Sequence, residues 1–143
     1  MDDAGFNDYR SYVFDRAGAI VEEPQLEQLL DEMVGQAGDD LATNFGPPEE
    51  VEGERAEELL AHLEAWAAVA SHATLEVYAG PLREVGALRR RLAGWARGVG
   101  ARLTRMANLL SSYARAAMQA LSAIEFSVGV SFPGGVSVSL TWS

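Results

Sequence analysis

The chain contains no cysteine, which excludes disulfides, zinc–thiolate centres and thiol catalysis. It also contains no lysine, so all eleven basic residues are arginine. Arginine favours bidentate contacts with carboxylate or phosphate, but a GC-rich coding sequence yields the same bias, and the placement of the charges says more than their type. No long hydrophobic run is present either. The longest charge-free stretch of helical character, Ala65 to Leu75, is far short of the roughly 20 residues of a membrane-spanning helix. The opening Met1-Asp2-Asp3-Ala4-Gly5 lacks the basic and apolar regions of a secretory signal, so the expected location is cytoplasmic. Charge is missing from the end of the chain as well, where no charged residue follows Glu125.

The 143 residues are 48% hydrophobic and 22% charged, which suits one folded domain, 1–143, with a core of its own. Residues 1–79 carry nineteen acids and three arginines, net −16, whereas residues 80–143 carry two acids and eight arginines, net +6. The two halves are electrostatically complementary. With an overall charge of −10 and a pI near 4.5, the composition argues against nucleic acid as the main partner, because such binding rests on phosphate neutralisation.

Helical periodicity dominates as far as Ala123. Phe6, Tyr9, Val13, Ala17 and Ile20 recur at three or four residues and predict a first helix ended by Glu22-Glu23-Pro24. Pro24 opens a second helix with Leu26, Leu29, Leu30, Met33 and Val34 on its apolar face. Gly35 and Gly38 weaken it, and Asp39-Asp40 is expected to start a further short turn carrying Leu41 and Phe45. Gly46-Pro47-Pro48 is the clearest break and begins a connector to about Gly53. A third helix follows to about Tyr78, with Leu59, Leu63, Trp66, Ala70, Ala73 and Val77 on one face and glutamates at the end that the helix dipole favours.

The fourth helical segment, about 81–123, is unusually long, roughly 65 Å if straight. Its apolar stripe comprises Leu88, Leu92, Trp95, Val99, Leu103, Met106, Leu110, Tyr113, Ala117 and Leu121. The spacing of about 3.7 residues per step suits a nearly straight bundle helix. On the opposite face Arg83, Arg90 and Arg97 fall within about 40° of one another, with Arg105 and Arg115 nearby. Among them lie small residues, including Gly94, Gly98 and Ala101, which would let another backbone approach closely. The segment reads either as one rod or as two helices hinged near Gly98.

From Ile124 onward the pattern changes to strict alternation. Phe126, Val128, Val130 and Phe132, then Val136, Val138, Leu140 and Trp142 across Pro133-Gly134-Gly135, describe an amphipathic β-hairpin of residues 124–143. The expected fold class is therefore mainly α: a helical bundle with a very long fourth segment and a C-terminal hairpin. An isolated, uncharged hairpin is marginal in water and invites edge pairing. It can cap the bundle, complete an intermolecular sheet, or oligomerise into a membrane.

Chemistry-bearing motifs are scarce. His62 with Glu58, and His72 with Glu76, are each four apart, but no Glu-x-x-His pair of a di-metal helical site occurs. Gly98-Val-Gly100 follows a helix rather than a strand, so it cannot form a dinucleotide cradle. No catalytic, cofactor-binding or metal residue is assigned, and the expectation is a non-enzymatic module. The favoured reading is self-assembly or binding of a protein partner through the hairpin, with the Arg83, Arg90, Arg97, Gly94, Gly98, Ala101 face as a second contact. The rival is a pore-former-like effector that inserts at an anionic membrane, peripheral to it once assembled.

Overall fold

The computed structural model describes the backbone of residues 3–79, 98–121, 125–131 and 135–141, with side chains between residues 4–77 and 98–119. Among these residues the chain is mainly helical and forms a helical bundle of α1 (Asp3–Gly18), α2 (Glu23–Phe45), α3 (Ala56–Ala79) and α4 (Val99–Leu121). One hydrophobic cluster joins all four helices. Val13 and Ala17 of α1 and Leu26, Leu29, Leu30, Met33, Ala37 and Leu41 of α2 are buried there. They meet Leu59, Leu63, Trp66, Ala70, Ala73 and Val77 of α3 and Val99, Leu103, Met106, Leu110, Tyr113 and Ala117 of α4. These are the positions that the three-to-four spacing selects, because a stripe of that period lies on one side of a 3.6-residue turn. Of the remaining members of the fourth stripe, Leu121 is the last residue of α4, and Leu88, Leu92 and Trp95 lie outside the described residues.

Helix boundaries depart from the periodicity in two places. α1 stops at Gly18, ahead of the Glu22-Glu23-Pro24 signal. There the amides of Ala19 and Ile20 bond back to Arg16 and Ala17 at 3.1 and 3.2 Å, the tightened geometry that satisfies carbonyls at a helix end. Ile20 is thereby turned into the core. α2 starts at Glu23 with Pro24 in its first turn, and Gln25 Oε1 accepts hydrogen bonds from the amides of Val21 and Glu22 at 2.9 and 3.1 Å.

The second departure is the continuity of α2, which runs through Gly35 and Gly38 to Phe45 without the fresh turn expected at Asp39-Asp40. Burial of Met33, Ala37 and Leu41 along one face outweighs a propensity cost of about 1 kcal/mol per glycine. Gly35 is exposed, and a Cβ there would meet nothing within 4 Å. Gly35→Ala is therefore expected to stabilise the protein by about 0.5–1 kcal/mol, read as a rise of a few degrees in melting temperature.

α2 ends at Phe45 and is capped by Gly46, which has a positive φ of 73° and whose amide returns to the Ala42 carbonyl at 2.9 Å. Two 3-10 turns, Pro48–Glu50 and Gly53–Arg55, carry the connector to α3. Arg55 ties it down. Its guanidinium donates to the Asn44 carbonyl, pairs with Glu58 at 3.2 Å and lies 4.5 Å from the centre of the Phe45 ring.

α4 begins at Val99, with Gly98 in the turn before it. The part of the expected 81–123 segment that precedes Gly98 lies outside the described residues. After α4, strands β1 (Glu125–Ser131) and β2 (Gly135–Thr141) pair antiparallel. β1 runs beside α4 and β2 beside α3.

Candidate functional site

The strand register places the hairpin candidates opposite one another. Phe126 faces Leu140, Val128 faces Val138, and Val130 faces Val136. The intervening pairs are Ser127 with Ser139 and Gly129 with Ser137. Phe132 and Trp142 lie outside the described residues. The sheet has two strands among the described residues, and no third strand among those residues pairs with the outer edge of either. Such edges present backbone donors and acceptors to any strand that approaches.

Of the second candidate face, Arg83, Arg90, Gly94 and Arg97 lie outside the described residues. Gly98 is buried in the turn before α4, and Ala101 is half-buried in its first turn. Arg102 and Arg105, which follow them, are engaged within the chain. Arg102 Nε donates to Asp31 Oδ2 at 3.2 Å and Arg105 to Asp31 Oδ1 at 3.3 Å, while Arg102 also reaches Glu27 at 3.9 Å. A single carboxylate of α2 thus bridges two arginines of α4. The acidic and basic halves meet here, through residues about one helical turn apart on each helix: Glu27 and Asp31 are four apart, Arg102 and Arg105 three apart. That one-turn spacing on two helices of opposite charge is the signal from which Arg102 could have been singled out.

A second polar arrangement lies inside the bundle. Asp40, only 4% exposed, accepts a hydrogen bond from Trp66 Nε1 at 2.8 Å and another from Asn44 Nδ2 at 2.8 Å. A buried indole N–H requires an acceptor, and Asp40 supplies it from mid-helix rather than from the start of a turn. Around Trp66 sit Phe6, edge-on at 5.2 Å, and Tyr9 at 5.7 Å. The two histidines have local roles. His62 Nδ1 contacts the Glu58 backbone carbonyl at 3.0 Å rather than its carboxylate, and His72 stacks on Phe14 at 4.7 Å. No cluster of three His, Asp or Glu residues suited to a metal occurs among the described residues. No helix among them is long and apolar enough to cross a membrane.

Tyr9 carries a buried hydroxyl without a hydrogen-bond partner. Burial, then the nearby Glu32 and Tyr12, push its pKa above the ordinary value of 10. Tyr113 is raised as well, by burial and then by Glu49, and its hydroxyl donates to the Gly46 carbonyl at 2.8 Å. Above pH 10 the unfolded chain releases these protons while the folded chain holds them, so stability present below pH 10 declines as the pH climbs. Tyr9→Phe removes an unsatisfied group and is expected to stabilise the fold by about 1 kcal/mol at pH 7. It should also make the alkaline decline shallower, which chemical denaturation between pH 7 and 11 checks.

No family model matches this chain, and no curated protein or solved structure shows significant similarity to it.

Proposed function

We propose that this protein is a non-enzymatic assembly module whose C-terminal hairpin joins the hairpins of further copies in an intermolecular β-sheet. The observation that carries this reading is the two-stranded sheet, uncharged beyond Glu125, whose outer edges meet no third strand among the described residues. α3 and α4 run beside the hairpin and can cover a face of it, but a face contact leaves main-chain edges unpaired. Edge-to-edge pairing then supplies affinity through backbone hydrogen bonds, and alternation of apolar with small polar residues fixes the register. The arginine-bearing segment ahead of α4 serves as a second contact with the acidic surface of a neighbouring copy. Such a module acts in the cytoplasm.

Light scattering coupled to size exclusion tests this on the full chain, on Ser127→Lys and on a truncation after Ala123. A full-length oligomer that Ser127→Lys weakens at least about tenfold, by charging the edge, and that truncation converts to a folded monomer is the expected result. A full chain that is monomeric at every concentration, or association unchanged by both variants, sinks the proposal and leaves the hairpin a cap on the bundle. The rival reading, a hairpin that inserts into a membrane on oligomerisation, calls for about 9–11 residues per strand. Among the described residues β1 and β2 have seven each. Hairpin-dependent flotation with anionic liposomes and dye leakage would replace assembly with insertion.

A further inference from the structure

A groove of about 330 Å³ lies between α1 and α3, lined by Phe6, Arg10 and Phe14 from one helix and Ala65, Ala68, Val69 and His72 from the other. Its walls follow from spacing. Phe6, Arg10 and Phe14 are four apart and line up along α1, while Ala65, Ala68, Val69 and His72 step by three or four along α3. Both aromatic ends are fixed in place: the Phe6 ring sits edge-on against Trp66 at 5.2 Å, and Phe14 stacks on His72 at 4.7 Å. Alanines keep the floor between them low. Over this floor stands Arg10, the one arginine of the lining, and no carboxylate pairs with it among the described residues, in contrast to Arg55, Arg102 and Arg105.

We infer that this groove is a binding site for a small amphipathic monocarboxylate, with an aromatic or branched body between the Phe6 and Phe14 rings and its carboxylate on the Arg10 guanidinium. The volume falls at the lower end of ligand sites, about 300–1,000 Å³, and an apolar lining with one placed polar group is their usual character. Arg10 stands about 6 Å along the helix from either phenylalanine, a reach that suits the short arm between ring and carboxylate of a phenylalkanoate. Guanidinium geometry matches a carboxylate bidentately. A monoanion is selected over a dianion because residues 1–79 carry a net charge of −16 and repel further negative charge. This site is separate from the hairpin and does not depend on its role.

The test is a titration of the full chain with 4-phenylbutyrate and with its uncharged counterpart 4-phenylbutan-1-ol, followed by amide chemical shifts. Saturable shifts centred on Phe6, Arg10, Ala68 and Val69 are expected, with the acid binding roughly two- to fivefold more tightly than the alcohol, the upper part of the range for an exposed charged pair. Arg10→Gln should abolish that difference while the alcohol's affinity holds. Ala68→Phe, at an exposed position, should fill the groove and remove binding of both, with melting curves confirming that each variant folds. Equal affinity for acid and alcohol, an acid preference that survives Arg10→Gln, shifts centred elsewhere, or no saturable binding would each overturn the site. Groove shifts that follow protein concentration instead of probe concentration would assign it to a second copy and overturn it equally.

Discussion

Trp66→Ala is expected to destabilise the protein by about 3–5 kcal/mol, a fall of roughly 10–15 °C in melting temperature for a domain of this size. Trp66 is fully buried, and its removal opens a cavity against Phe6 and Tyr9. The same change strips Asp40 of its indole donor and leaves a buried carboxylate with one fewer hydrogen bond. Trp66→Phe separates the two effects. It keeps most of the volume, loses the donor, and should cost about 1.5–3 kcal/mol, the range for a hydrogen bond to a charged group. Denaturant melts of both variants check the ranking; equal losses would show that the indole hydrogen bond, and not the cavity, carries the effect.

Gly46→Ala should cost about 1–3 kcal/mol, in the direction opposite to Gly35→Ala. At Gly46 the backbone has φ 73° and ψ −162°, a region open essentially to glycine alone, whereas Gly35 is helical with open space around it. Strain at Gly46 would also disturb the carbonyl that accepts the Tyr113 hydroxyl at 2.8 Å, and with it the seam between the end of α2 and α4. Tyr113→Phe removes that hydrogen bond alone and should cost about 1 kcal/mol. Thermal melts of the three variants on one protein background distinguish backbone strain from the lost hydrogen bond.

The core was legible in the sequence wherever one helix face carried it. Leu59, Leu63, Trp66, Ala70, Ala73 and Val77 are all buried, because periodicity reports the geometry of a single helix and needs no knowledge of its neighbours. Continuity of α2 was hidden, since Gly35 and Gly38 are judged locally while the burial that keeps them helical is tertiary. Asp40 was misplaced for the same reason: its acceptor role depends on Trp66, 26 residues away. The groove between α1 and α3 could not be read at all, because neither Phe6-Arg10-Phe14 nor Ala65-Ala68-Val69-His72 forms a site until the helices lie side by side. For the hairpin, alternation specifies which residues share a face but carries no information about what meets the edges.

The bridge from Asp31 to Arg102 and Arg105 closes across 71 and 74 residues of chain, and this has a consequence for how the protein is made. A ribosome delivers the acidic helices first, and they must gather while their surplus of carboxylates pushes them apart. Their counter-charge arrives afterwards, on the arginines of residues 83–115, three of which lie on α4. α4 therefore brings part of that neutralisation together with the buried Leu103, Met106 and Leu110, so its docking on the acidic helices is drawn inward by charge as well as by exclusion of water.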